Sequence, residues 1–128
     1  MTVKMRAAKV LTLAAAGMAI LPLTAANAAP LPRPAQFAMC GVCHKTGAGE
    51  PSSLGPNLWQ VAGRKSGTLA GYNYSPAMKS AAITWNKDTL TKYITAPAQT
   101  VPGNKMAYAG QKDPKAAEAI VDYLLSLK

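Results

Sequence analysis

A chain of 128 residues with two cysteines and a formal charge of +9 has room for one domain of ordinary size and not for two. A positive balance fits nucleic acid, anionic lipid or an acidic protein as partner. The longest basic run is only Arg64-Lys65, which argues against a nucleic-acid footprint and leaves an acidic protein as the better fit.

Lys4, Arg6 and Lys9 precede an apolar run from Val10 to Leu23, and Ala26-Asn27-Ala28 follows as a small-x-small pattern. These are the three regions of a cleaved export signal. A membrane anchor needs about 20 unbroken apolar residues, whereas this run is shorter and Pro22 interrupts its end. The expected processing site follows Ala28, with Ala29 as the near alternative. Residues 1–28 are then the signal and residues 29–128 the functional domain, sent to the periplasm. Without the signal, eleven basic residues stand against five acidic ones, a net charge of +6.

Pro30, Pro32 and Pro34 alternate, which predicts an extended start. A short helix can begin at Pro34, because proline suits the first helical turn, and run through Phe37 toward Cys43. From Lys45 to Gly71 the chain is rich in Gly, Ser and Pro without periodicity, the pattern of irregular loops. Loops this long in a small domain need something to wrap around. Ser75-Pro76-Ala77-Met78-Lys79 reads as a single helical turn. Asn86 is an N-cap with Asp88 in the first turn, so a helix should run to Ala96, where Pro97 stops it. Asp113 is a second N-cap, followed by Pro114 at the first helical position. Ala117, Ile120, Val121, Leu124 and Leu127 then mark one face of an amphipathic helix. No run of strands is expected. The reading is an all-α domain of three to four short helices and long loops. So little apolar matter calls for a large prosthetic group as its core.

Cys40-Gly41-Val42-Cys43-His44 is the c-type haem attachment pattern. Two thiols one helical turn apart can add to the two vinyl groups on one haem edge, and the next imidazole can ligate the iron. A disulfide three residues apart would constrain little of the unfolded chain. A zinc site needs four ligands, and the sequence holds no other Cys or His. A thioredoxin-like pair expects alternating strands and helices around it. The cofactor expected is therefore one covalent haem c, with His44 on the iron. The opposite position falls to methionine, lysine, water or nothing, because His44 is the only histidine. Met1, Met5 and Met18 leave with the signal, and Met39 adjoins the attachment side. Met106 follows Pro102-Gly103-Asn104-Lys105, a tight loop that could hold a thioether on iron. Met78 better suits a core gap. Imidazole opposite thioether favours electron transfer over oxygen or peroxide chemistry.

These residues resemble the class I cytochromes c, the branch of mitochondrial cytochrome c and its short bacterial periplasmic relatives. The resemblance spans nearly all of residues 34–127. Beyond Cys40 to His44 it rests on Gly55-Pro56-Asn57-Leu58, Gly63-Arg64, Gly71-Tyr72-Asn73-Tyr74, Trp85, Leu90, Tyr93, Pro97, Pro102 to Met106, Ala109-Gly110 and Tyr123-Leu124. It implies the cytochrome c fold and a list of roles. Pro56 would accept the ring N–H of His44. Arg64, Tyr74 and Trp85 would reach the inner haem propionate, and Tyr93 would bond the sulfur of Met106. Asn104 would help hold a propionate or an internal water. Two departures stand out. Pro32-Arg33-Pro34 replaces much of the family's first helix, so packing between the terminal helices should be reduced, though Phe37 can still reach Ile120 and Tyr123. The family's lysine ring is thin: Lys105 and Lys112 match it, with Met39, Ala98 and Asp113 where lysines often stand. The implied function is a monomeric periplasmic electron carrier, not an enzyme, between a cytochrome bc complex and a terminal oxidase. The alternatives are a haem subunit tethered to a membrane oxidase or dehydrogenase and, further off, a peroxidase.

Overall fold

The computed structural model describes residues 28–128, so the predicted export signal, apart from Ala28, lies outside the described residues. A 3₁₀ turn at Ala35–Phe37 runs into α1, Ala38–Gly41. The remaining helices are α2 at Pro76–Ser80, α3 at Lys87–Thr95, α4 at Pro97–Thr100 and α5 at Pro114–Leu125. Among the described residues the only β pairing is an isolated bridge between Lys65 and Thr84. None of their helices is long and apolar enough to cross a membrane.

Local chemistry sets the ends of these helices. The Asn86 side chain accepts the backbone N–H of Thr89, while the Thr89 hydroxyl takes the N–H of Asn86, a reciprocal cap on α3. Asp113 accepts from the N–H of Lys115, and Pro114 occupies the first position of α5. The Ser75 hydroxyl does the same for α2 by accepting from Met78. Pro97 ends α3 as expected, but it also opens α4, a helix the sequence reading missed. A proline that cannot continue one helix is preorganised to start the next.

α3 and α5 pack against each other, and the 3₁₀ turn packs against α5. Leu90 and Ile94 bury from α3, while Ile120, Val121, Tyr123 and Leu124 bury from α5. Phe37 is fully buried and meets Tyr123 edge to face at 5.0 Å, the contact expected to survive the shortened first helix. The extended start is tied down in a way the prolines do not reveal. The N–H of Leu31 donates to Ser126 Oγ at 2.9 Å. The Arg33 guanidinium lies 5.6 Å over the Phe37 ring and donates to Thr46 Oγ1 at 2.9 Å. The Tyr123 hydroxyl donates to the same Thr46 oxygen at 3.1 Å. A strap thus replaces the missing helical turns and joins both termini to the loop after His44.

Replacing Arg33 with alanine removes one cation–π contact and one hydrogen bond, together about 1 kcal/mol. The holoprotein should melt several degrees lower with an unchanged visible spectrum. Differential scanning calorimetry checks this, and an unchanged melting temperature would show that the strap carries no stability.

Candidate functional site

Cys40, Cys43 and His44 leave the end of α1 onto one wall of a cavity of about 490 Å³, within the range of small-molecule and cofactor sites. The N–H of His44 closes back on the Cys40 carbonyl at 2.9 Å, so the attachment segment is a continued helical turn. Residues of the 104–108 loop, including Met106, line the same cavity. Apolar side chains from every helix except α4, among them Phe37, Leu90, Ile94, Ile120 and Leu124, line it as well. Much of what the sequence marks as core therefore lines the cavity.

His44 is positioned by its surroundings. Its Nδ1–H donates to the Pro56 carbonyl at 2.8 Å, which leaves Nε2 free as a ligand and orients the ring. Burial lowers the imidazole pKa, opposed by the Pro56 carbonyl, so the ring remains in the neutral form that can coordinate. Gly55 makes room for it: a Cβ there would lie 2.5 Å from Cε1 and 2.7 Å from Nδ1 of His44. Gly55→Ala should therefore push the ring off its carbonyl, with an altered haem spectrum and a lower midpoint potential. Spectroelectrochemistry of the variant reads both, and a wild-type spectrum and potential would show that the glycine is incidental.

Cys40 and Cys43 are not paired in a disulfide. Burial pushes the Cys40 thiol up, partly offset by a backbone hydrogen bond. A disulfide-exchange pair needs the reverse, a depressed pKa that favours thiolate, so the site does not read as a thioredoxin-type couple.

The Tyr93 hydroxyl lies 3.9 Å from the Met106 sulfur and 3.4 Å from Asn104 Oδ1. Burial, with a smaller contribution from Tyr72, pushes the Tyr93 hydroxyl up to about 12, so it remains a donor across the neutral range. The Asn104 side chain is spent on shaping the loop. It donates to the carbonyls of Pro97 and Val101 and accepts from the N–H of Met106 at 2.9 Å. Met78 also lines the cavity, from α2, with 8% of its surface exposed. The structure thus brings both candidate methionines to the cavity, and only the Met106 sulfur has a hydroxyl directed at it.

Arg64, Tyr74 and Trp85 all line the cavity, and the Trp85 N–H donates to the Arg64 carbonyl at 2.9 Å. Arg64 donates to the carbonyls of Asn57 and Trp59. Burial raises the Tyr74 hydroxyl, partly offset by the Arg64 charge. Trp85 packs 5.1 Å from Tyr93. Behind Arg64, the Asn57 side chain bonds Gly47 and Glu50 carbonyls and the Trp59 N–H, which fixes the loop under His44. Sequence reasoning gave Asn57, Thr46, Tyr72 and Tyr108 no role. The last two line the cavity; the available signal was that Tyr72 lies within a family block and Tyr108 between two of them.

The donor set fits a haem. Two thiols, a neutral imidazole with a free nitrogen, a thioether and an apolar lining are what covalent attachment and axial ligation demand. The fold and site define a class: a small helical protein that carries haem c.

The Cytochrome c family model matches residues 34–128. Cytochrome c2 iso-2 of Magnetospirillum molischianum is 43% identical over 95 residues, covering 74% of this chain and 97% of that one. Cytochrome c2 of Rhodoplanes tepidamans is 47% identical over 88 residues, 69% of this chain and 82% of the relative. Among solved structures, cytochrome cH from Methylobacterium extorquens superposes with a TM-score of 0.66 at 37% identity, covering 70% of this chain and 90% of its own. The chain belongs to the cytochrome c family, whose members are electron-transfer proteins and not enzymes. Its cofactor is covalently bound haem c, and Cys40 and Cys43 fit the attachment motif.

Proposed function

We propose that the protein is exported to the periplasm, loses residues 1–28, and there carries single electrons from a cytochrome bc complex to a terminal oxidase. The observation that carries this reading is the convergence of Cys40, Cys43, His44 and Met106 on one apolar cavity. When bound, haem supplies a one-electron ferric–ferrous couple. The chain's own residues do the rest. Cys40 and Cys43 would anchor it, and His44, oriented by the Pro56 carbonyl, would ligate the iron. Met106, whose sulfur faces the Tyr93 hydroxyl and whose N–H donates to Asn104 Oδ1, would be the second protein ligand. Arg64, Tyr74 and Trp85 would offer donors to the inner propionate, whose burial would otherwise be costly. With thioether and imidazole both ligating, no position would be left for oxygen or peroxide, and the sequence has no second histidine to act as a distal acid or base.

N-terminal sequencing of the protein from periplasmic extract, with stopped-flow mixing against purified reduced bc complex and oxidised terminal oxidase, tests this reading. A chain starting at Ala29 or Pro30 that is reduced by the first and oxidised by the second is expected. A retained N-terminus in the membrane fraction would point to a tethered subunit and overturn it.

A further inference from the structure

Arg33 is exposed, yet its guanidinium is held from three directions. It lies 5.6 Å over the Phe37 ring. It donates to Thr46 Oγ1 at 2.9 Å, and the Tyr123 hydroxyl donates to the same oxygen at 3.1 Å. A Cβ built on Gly41 would stand 3.6 Å from Arg33 Nη1 and 3.9 Å from the Phe37 ring, so the guanidinium lies against the backbone there. Phe37 and Thr46 are themselves buried, which fixes the anchors. A planar, delocalised cation can stack by its face and donate by its edge at once, and an ammonium cannot. The arrangement holds a charge in one place.

That place adjoins the attachment segment. Gly41 stands between Cys40 and Cys43, and Thr46 comes two positions after His44. Phe37 lines the cavity together with both cysteines and His44. Arg33 does not line it, so it acts on a group held there only through its field. No carboxylate cancels the charge. Glu118 and Asp122 pair with Lys87, and Asp113 caps α5. Glu50 accepts from the Gly47 N–H, and Asp88 occupies the first turn of α3. Among the described residues the ion pairs are those of Lys87, and Arg33 is in none of them.

We infer that Arg33 is a potential-setting residue: its guanidinium, pinned beside Cys40 to His44 by Phe37, Gly41 and Thr46, holds the haem midpoint potential above the value that the same ligands would give without it. This rests on reading the cavity as the haem site. Oxidation adds one positive charge at the iron, so a fixed cation nearby favours the reduced form and makes the protein a stronger one-electron acceptor. Solvent screens an exposed cation, which keeps the effect to the size of a surface charge interaction. Arg33 belongs to Pro32-Arg33-Pro34, the stretch that departs from the family pattern, so the added charge is a feature of this chain's own strap.

The test compares holoproteins of the wild type, Arg33→Met, Arg33→Lys and Lys115→Met by spectroelectrochemistry, with calorimetry alongside. Arg33→Met keeps an apolar stem over Phe37 and removes the charge. At a fixed solution potential its ferrous-to-ferric ratio should fall about two- to fivefold, a midpoint lower by about 20–40 mV at 59 mV per tenfold, with the visible spectrum unchanged. Arg33→Lys keeps a cation and a donor for Thr46 but loses the planar stack. It should retain most of the wild-type potential while melting lower, as Arg33→Met does. Lys115→Met removes an exposed cation outside the cavity lining and should shift the potential less than half as far as Arg33→Met. Added salt should shrink the difference between wild type and Arg33→Met. A wild-type potential in Arg33→Met overturns the inference and leaves the strap a structural element alone. An equal fall in Arg33→Lys, an equal fall in Lys115→Met, or a difference that salt does not reduce overturns it too, because the pinned charge would then not be the cause. A changed visible spectrum in Arg33→Met overturns it in favour of a displaced ligand. A wild-type chain that carries no haem would overturn the reading of the cavity itself, a result distinct from all of these.

Discussion

The double substitution Cys40→Ala with Cys43→Ala should yield a chain without covalent haem that is largely unfolded. The core explains the size of the effect. Phe37, Leu90, Ile94, Ile120 and Leu124 belong to the apolar core and also line the cavity, so a haem bound there would complete that core. An ordinary domain has a net stability of only about 5–15 kcal/mol, so losing the apolar contacts of a bound haem with this lining is enough to unfold a domain of this size. Haem staining on a denaturing gel and far-ultraviolet circular dichroism read attachment and fold separately. A haem-free variant with native helix content would show that the polypeptide core suffices alone.

What the sequence made legible follows the range of the interactions involved. Caps act within one turn, so Asn86 and Asp113 announced α3 and α5 from neighbouring residues, and Ser75 to Lys79 read as the helical turn where α2 forms. The attachment segment is five consecutive residues, and its chemistry can be read without any fold. The strap could not be foreseen, because Leu31 and Ser126 are bonded across 95 residues and neither carries a local pattern that names the other. α4 was missed because Pro97 was credited only with stopping a helix. The place of Gly55 against His44 depends on a loop that folds back over eleven residues. Met78 was assigned to a core gap, and it is buried, yet it also borders the cavity. When a prosthetic group fills the centre of a domain, core and site become the same surface, and sequence periodicity cannot separate them.

The second large effect is at the sixth position. Met106→Ala should open the iron to carbon monoxide and peroxide, lower the midpoint potential, and abolish the weak sulfur-to-iron absorption at the red end of the ferric spectrum. Loss of the thioether removes the ligand that favours the reduced state, whereas the Tyr93 hydroxyl and Asn104 then hold a loop with nothing to offer. Met78→Ala should keep that absorption and the potential, and show only the cost of a core truncation, about 2–5 kcal/mol in stability. Both methionines reach the cavity, so the pair of variants is decisive. Loss of the absorption in Met78→Ala, with retention in Met106→Ala, would transfer the ligand role to α2.

On the proposed function, one chain holds one haem c, its own side chains fill both axial positions, and it passes single electrons. A potentiometric titration of the purified holoprotein, followed in the visible spectrum with and without carbon monoxide, tests it most directly. The expected result is one reversible one-electron transition per chain between two low-spin spectra, unchanged by carbon monoxide in the ferrous state. A high-spin spectrum in either state, or a ferrous form that binds carbon monoxide as the wild type, would contradict it.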